Sequence, residues 1–221
     1  DGMVAVFCGV AGVQPQSETV WRQAVKYDVP RIAFINKMDR TGANYEQAVE
    51  SMRTVLNANA VECNLPIGSE ENFKGVIDLV EMVEYHYEGD KGKTFNKVEI
   101  QPENQEIANE YRQKLLEVAA ESKDEILEEF LENGDLSTER LIEGLRKRTI
   151  DGEVVLTFCG TAFKNKGVQP LLDAVVKYLP SPIDVGSISA ENSDGQEVVL
   201  EPSVSSDFAA LAFKVMTDPF V

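Results

Sequence analysis

Short apolar runs alternate with polar loops and helical segments along the first 60 residues. The runs at 3–7 and 31–35 are almost free of charge, as expected of strands that are buried on both faces. Each run is followed by a polar loop and then by apolar residues at helical spacing, with Ser17 as the predicted N-cap of the first helix and a second helix at 45–56. This order predicts an α/β fold with a parallel sheet and crossover helices.

The pattern changes after residue 60. Residues 61–67, 75–80 and 83–87 have the composition of strands. Apolar residues then recur at helical spacing through 107–118 and 126–131, and Ser137-Thr138 marks a further helix start. We interpret residues 61–153 as an inserted α+β block.

The alternation of apolar run, polar loop and helical segment seen in the first 60 residues returns at residue 154. Residues 154–159 are a predicted buried strand, 160–167 its loop and 168–179 a helix, so 1–60 and 154–183 belong to one core. The Ser-, Glu- and Gly-rich stretch 184–203 is predicted to be a linker. Residues 208–215 are predicted to be a strand of a following domain, to which we assign 184–221.

The net charge of the chain limits the classes of partner that it is expected to bind. The chain of 221 residues is 43% hydrophobic and has a net charge of −17, of which residues 69–145 contribute −13 with 21 acidic and 8 basic side chains. A surface this acidic repels phosphate backbones, so little direct nucleic-acid contact is expected from this part of the chain. A basic protein partner and a merely well-solvated surface both remain open.

The absence of targeting signals and the pattern of cysteines favour a cytoplasmic location. No apolar run approaches the roughly 18–20 residues that span a bilayer, and the first residues have no basic segment typical of a signal peptide. We expect Cys8, Cys63 and Cys159 to be reduced thiols. His86 is the only histidine, so a His-based catalytic pair or zinc site is not expected.

The strand at 31–35 ends in Asn36-Lys37-Met38-Asp39, the pattern N-K-x-D. An aspartate accepts hydrogen bonds from two N–H groups at once, which matches N1 and N2 of guanine, and an asparagine amide can donate to the acceptor side. The stem of Lys37 can lie along the flat purine face. Adenine lacks both donors and would leave the carboxylate unpaired, at a cost of about 1–3 kcal/mol.

A second loop strengthens this interpretation. Thr161-Ala162-Phe163 follows the strand at 154–159, and ligands of open α/β sheets bind where such strand ends meet. The N–H of Ala162 is predicted to contact guanine O6 and to reject the amino group of adenine. For an isolated N-K-x-D, a polar loop is the simpler explanation, and Asp39 alone could be a helix N-cap.

Residues 12–24, 30–40, 159–169 and 210–215 resemble bacterial elongation factor G. The resemblance implies a translational GTPase of the P-loop class, which moves the tRNA–mRNA complex through the ribosome in the cytoplasm. It implies a guanine pocket lined by Asn36, Lys37 and Asp39 and closed by Thr161, Ala162 and Phe163. Most members of the family carry Ser in place of Thr161, and the hydroxyl is retained. The acidic insert resembles a subdomain that contacts the mobile stalk protein of the large ribosomal subunit, and 184–221 would begin a β-barrel domain.

The resemblance also implies parts that these residues do not include. The sequence has no G-x-x-x-x-G-K-[ST], so the phosphate loop, the Mg²⁺ ligands and the switch segments are expected upstream of Asp1 in a longer protein. Phosphoryl transfer depends on those parts. We therefore expect this chain alone to bind GTP or GDP very weakly and not to hydrolyse GTP. A paralogue for ribosome recycling or ribosome protection, and a non-catalytic module that binds the stalk, are the alternatives.

Overall fold

Two four-stranded sheets form the framework of residues 1–179. A computed structural model describes residues 1–89 and 91–212, and the chain divides into the units Asp1–Leu179 and Pro180–Val221. The strands described in the first unit are β1 (Met3–Cys8), β2 (Arg31–Asn36), β3 (Ala60–Glu62), β4 (Asn64–Ile67), β5 (Gly75–Asp78), β6 (Val83–Glu88), β7 (Thr94–Glu99) and β8 (Val155–Cys159).

Helices pack against the parallel sheet, and most follow the predicted spacing. Those described in the first unit are α1 (Pro15–Lys26), α2 (Tyr45–Leu56), α3 (Gln105–Ala120), α4 (Asp124–Asn133), α5 (Thr138–Ile150) and α6 (Val168–Tyr178). The Ser17 N-cap is wrong, because α1 begins at Pro15 and its N-cap is Gln14, three residues before Ser17. Pro15 is the first helical residue, where its fixed φ suits a helix and its missing N–H costs nothing.

The first sheet is entirely parallel and has the order β1-β2-β8-β3. The predicted α/β fold with a parallel sheet is therefore confirmed. Strand β8 lies between β2 and β3, although the segment 63–154 separates β3 from β8 along the chain. The carboxyl ends of β2 and β8 consequently meet at one edge of the sheet.

The single strand predicted at 61–67 is wrong, because the chain changes sheets at Cys63. Strand β3 pairs with β8 in the parallel sheet, whereas β4 pairs with β5 in the second sheet. The Cys63 N–H donates to the Thr157 carbonyl at 2.9 Å, and the Cys63 carbonyl accepts from the Leu79 N–H at 3.1 Å. This one residue thus links both sheets through its backbone.

The second sheet is antiparallel, with the order β4-β5-β6-β7. Strand β7 was not predicted: all of its residues except Val98 are exposed, so no apolar alternation marks it. Helices α3 and α5 contact strands of the parallel sheet and bury leucines in the core, including Leu115, Leu141 and Leu145. Truncating one such leucine to alanine costs about 2–5 kcal/mol.

One hydrophobic core runs through both sheets. It joins Ile35 and Leu156 of the parallel sheet to Ile77 and Leu115 of the acidic region. Trp21 is buried in this core: its ring lies 6.1 Å from that of Phe7, and the Arg31 guanidinium lies 4.8 Å above it. The sheets therefore share a core rather than forming separate ones.

The second unit contains a short helix and a hairpin in place of the linker predicted at 184–203. The elements are α7 (Pro182–Val185), β9 (Ile188–Glu191) and β10 (Glu197–Leu200), with β9 and β10 antiparallel. The Asn192 side chain accepts from the N–H groups of Asp194 and Gln196 and so shapes the turn. Of the strand predicted at 208–215, residues 208–212 are not in a strand, and the others lie outside the described residues.

No helix in the described part of the chain combines the length and the apolar character that crossing a bilayer requires. All three cysteines are free thiols. Cys63 and Cys159 are buried, and burial raises the pKa of both thiols.

Candidate functional site

Two loops leave the same edge of the parallel sheet. Ile35 on β2 is paired with Cys159 on β8, so the residues after each strand start side by side. The N–H of Gly160 donates to the Ile35 carbonyl at 3.0 Å, which fixes the two starting points together. We call residues 36–44 the first loop and residues 160–167 the second loop.

Met38 anchors the first loop. Its side chain is only 1% exposed, and its N–H donates to the Gly160 carbonyl at 3.1 Å. Lys37 has a left-handed φ of +67°, and a bond of 3.1 Å from the Arg40 N–H to the Lys37 carbonyl closes a turn. The variable position of N-K-x-D is therefore a buried apolar residue, which holds the polar positions on either side of it at the surface.

Glycines close the second loop. Thr161 and Lys166 exchange two backbone hydrogen bonds, of 2.9 and 3.1 Å. A Cβ atom on Gly160 would lie 2.4 Å from the Lys166 carbonyl oxygen, and Gly167 has a left-handed φ of +80°. Because larger residues would clash or be strained at these positions, the glycines determine the shape of this loop.

Polar side-chain contacts also join the loops. The Asn36 side-chain oxygen accepts from the N–H of Lys37 at 2.8 Å and from the N–H of Ala162 at 2.9 Å. The Thr161 hydroxyl donates to Asp39 Oδ1 at 2.7 Å. In this structure the Ala162 N–H, which was expected to meet a guanine oxygen, is thus directed at Asn36.

Asp39 is ionised and partly open. Lys164 Nζ lies 3.0 Å from Asp39 Oδ2, and the Asp39 side chain is 16% exposed. Burial alone raises its pKa, but the hydrogen bond from Thr161 and the nearby Lys164 ammonium outweigh this and hold the pKa below its ordinary value. Two ionised oxygens offer about four lone pairs, of which these partners use two. The carboxylate therefore retains capacity to accept further N–H groups.

The predicted site residues divide into two sets. Hydrogen bonds bring together Asn36, Asp39, Thr161 and Ala162. The side chains of Lys37 and Phe163 are exposed, with Phe163 at 99%, and within the described residues neither joins this network. An aromatic ring that exposed offers a free apolar face beside the loops.

Two neighbours of these residues are not among the predicted site residues. Lys164 directly follows the predicted pocket residues in the second loop, and that position was the signal available from the sequence. Glu70 also reaches the first loop, where its carboxylate accepts from the Gly42 N–H at 2.7 Å. No local pattern indicates this contact, because Glu70 comes from the turn between β4 and β5.

The arrangement suits recognition of a flat base through its edge. One ionised carboxylate presents acceptors, a backbone N–H lies beside it, and lysine and phenylalanine side chains are available for the ring faces. Throughout the described residues, no group of three or more His, Cys, Asp or Glu side chains is arranged to hold a metal ion.

Comparisons with known proteins give a family and a related structure. A family model described as the elongation factor Tu GTP binding domain matches residues 1–181. A crystal structure of a protein from Thermus thermophilus matches with a TM-score of 0.75 and 27% sequence identity over 85% of this chain. The chain covers 28% of the length of that protein.

Proposed function

Because the chain belongs to the family of the elongation factor Tu GTP-binding domain, we propose that its two loops recognise the guanine base of GTP or GDP. The observation that carries the proposal is the Asp39 carboxylate, which is ionised and has unused acceptor capacity at the junction of the loops. Guanine presents two neighbouring N–H donors, at N1 and N2, that match a carboxylate.

The remaining loop residues complete the proposed pocket. Guanine O6 would take over the Ala162 N–H, while Asn36 keeps its bond to the Lys37 N–H. Thr161 holds Asp39 in place through its hydroxyl. The exposed side chains of Lys37 and Phe163 are assigned to the two faces of the base, where an alkyl stem and an aromatic ring pack well.

A titration of the 221-residue chain tests base recognition. We expect GDP to shift the backbone amide NMR signals of Asn36, Asp39 and Ala162. ADP, which lacks both donors, should bind at least about tenfold more weakly, and inosine diphosphate, which lacks only the 2-amino group, should fall between them. Equal affinities for GDP and ADP would overturn the proposal.

The same chain is proposed to supply base recognition without phosphoryl transfer. A sequence of the form G-x-x-x-x-G-K-[ST] occurs nowhere in its 221 residues, and contacts to the phosphates and to Mg²⁺ dominate both affinity and catalysis in this class of enzyme. Calorimetry with GDP is expected to show a dissociation constant well above the micromolar range, and no GTP hydrolysis should be measurable. A micromolar constant would contradict this expectation.

The longer protein is proposed to be a cytoplasmic elongation factor that uses GTP to move tRNA and mRNA on the ribosome. The resemblance of residues 12–24, 30–40 and 159–169 to elongation factor G supports this. A recycling or ribosome-protection paralogue shares these loops and remains the alternative. Ribosome-dependent GTP hydrolysis coupled to tRNA movement, measured on the whole protein, separates them: hydrolysis without movement would favour the alternative.

The acidic α+β region is proposed to dock a basic partner, the stalk protein of the ribosome. Support comes from its charge of −13 over 69–145 and from the exposed carboxylates of α4. Several of its basic side chains are paired with carboxylates: Lys97 with Glu81, Lys114 with Glu110 and Lys123 with Glu143. An RNA contact through them is therefore disfavoured.

Stalk docking has its own test. Titration with the C-terminal domain of the stalk protein should shift signals within 103–149 and leave those of Asn36 and Ala162 unchanged. Shifts outside that range, or none, would remove this assignment. Shifts there without any response to GDP would instead favour the alternative of a non-catalytic docking module.

A further inference from the structure

Glu70 holds the first loop from outside the parallel sheet. Its Oε1 atom accepts from the Gly42 N–H at 2.7 Å, and its own N–H donates to the Met38 carbonyl at 3.0 Å. These two bonds bracket Asp39. We propose that Glu70 is a positioning residue for guanine recognition, an inference that rests on the proposed function of the two loops.

The turn that carries Glu70 is itself well fixed. It joins β4 to β5, and Phe73, only 3% exposed, anchors it in the core. Bonds from the Phe73 N–H to the Glu70 carbonyl (3.1 Å) and from the Lys74 N–H to the Ile67 carbonyl (2.9 Å) close it. Because this turn is held in place, Glu70 can keep the part of the first loop that it contacts in one position.

The backbone of Glu70 is strained. Its φ of +53° lies in the left-handed region, which residues with a side chain adopt at a cost. In this conformation Glu70 makes both of its bonds to the first loop. A glycine would adopt the same φ without strain, but it would lack the carboxylate. The carboxylate bond to the Gly42 N–H therefore explains why this position holds a residue other than glycine.

The second loop also touches the antiparallel sheet. Lys166 Nζ donates to the Phe73 carbonyl at 3.4 Å, and Asn165 Nδ2 donates to the Gly92 carbonyl at 3.3 Å. A Cβ atom on Gly92 would lie 2.5 Å from the Lys164 carbonyl oxygen. Turns of the antiparallel sheet therefore contact both loops of the parallel sheet. Among these contacts, Glu70 places a charged side chain against the first loop, which carries Asp39.

Loss of the Glu70 carboxylate would not unfold the first loop. The bonds from Arg40 to Lys37 and from Ala43 to Arg40 remain, as does the buried Met38. What is lost is the fixed position of the segment between Met38 and Gly42. A base that needs two hydrogen bonds to Asp39 is sensitive to that position, because hydrogen bonds weaken steeply as their geometry worsens.

The test compares Glu70→Ala and Glu70→Gln with the matched control Glu71→Ala in the 221-residue chain. Glu71 is the exposed neighbour in the same turn, and no hydrogen bond or ion pair is found for its side chain among the described residues. With GDP as the probe, we expect Glu70→Ala to bind about tenfold more weakly, the factor for one net hydrogen bond. Glu70→Gln keeps an oxygen acceptor and should stay within about threefold of wild type, and Glu71→Ala should not differ.

Amide hydrogen exchange provides a second measurement that does not require nucleotide. Exchange at Gly42 should accelerate about tenfold in Glu70→Ala and return toward the wild-type rate in Glu70→Gln. If wild type binds GDP and Glu70→Ala binds it equally well, the positioning role is wrong. If wild type does not distinguish GDP from ADP, the proposed function fails; unchanged exchange at Gly42 overturns the Glu70 assignment by itself.

Discussion

Two carboxylates of the first unit, Glu84 and Asp39, differ in what surrounds them. Glu84, on β6 of the antiparallel sheet, is 0% exposed, and its oxygens accept from the Gln101 N–H, Asn104 Nδ2 and His86 Nε2 at 3.0, 2.8 and 2.6 Å. Asp39, on a loop of the parallel sheet, has two partners and an open side.

The difference separates a structural acid from one that can bind. Glu84 is enclosed by its own fold and joins β6 to the start of α3, so nothing from solvent can reach it. Asp39 meets its partners at the junction of two loops and still faces solvent. Both acids have a pKa below the ordinary value, because hydrogen-bond donors outweigh the effect of burial. A lowered pKa alone therefore does not identify a binding site; the free acceptor capacity of Asp39 is what supports the proposed one.

The largest effect is expected when Glu84, the structural acid, is replaced. Glu84→Ala should lower the free energy of unfolding by about 3 kcal/mol, because it removes a fully enclosed carboxylate together with its three hydrogen bonds. Urea unfolding followed by the fluorescence of Trp21 measures this. Glu84→Gln, which retains an acceptor oxygen, should cost about 1 kcal/mol, and neither variant should change the affinity for GDP. A Glu84→Ala chain as stable as wild type would contradict the assigned role.

A smaller effect is expected at the loop acid. Thr161→Val preserves the shape of the side chain but removes the hydroxyl that donates to Asp39, and should cost about 1–1.5 kcal/mol of unfolding free energy. It should also weaken GDP binding severalfold, unlike the Glu84 variants. Thr161→Ser, which keeps the hydroxyl, is the control and should bind GDP as wild type does.

The pH dependence of stability sharpens the same contrast. Because the folded-state pKa of Asp39 is lowered, its ionised form stabilises the native state above the unfolded value of about 3.9. That contribution is lost as the pH falls through the folded-state pKa. The difference in unfolding free energy between wild type and Asp39→Asn should be constant from about pH 5 to 8 and shrink below about pH 4. A free-energy difference that grows as the pH falls would show that the folded-state pKa of Asp39 is raised and not lowered.

The smallest effect is expected on the acidic surface. Glu128 lies exposed on α4 with no hydrogen bond or ion pair in the described part of the chain, so Glu128→Gln should change the free energy of unfolding by less than about 0.5 kcal/mol. GDP affinity should be unchanged as well. A larger loss would show that this carboxylate has a structural role like that of Glu84.

The parallel sheet and its two loops were predictable because their signals are local. Continuous apolar runs mark β2 and β8, and the polar residues of the loops follow each strand directly. The break at Cys63 was missed because apolar character does not show which sheet a strand joins. Strand β7 has no apolar alternation, and the β9–β10 hairpin was overlooked despite the turn signal Asp194-Gly195. Glu70 could not be found at all, since its contact depends on how the two sheets are assembled.

The central claim is that Asp39 reads the 2-amino edge of guanine, and exchanging the base tests it most directly. Affinities for GDP and xanthosine diphosphate, whose base has a carbonyl at C2 in place of the amino group, should be measured by NMR titration of wild type and Asp39→Asn. Wild type should prefer GDP by at least about tenfold, and Asp39→Asn, whose amide donates to that carbonyl, should prefer xanthosine diphosphate. An Asp39→Asn chain that keeps the wild-type preference for GDP would contradict the account.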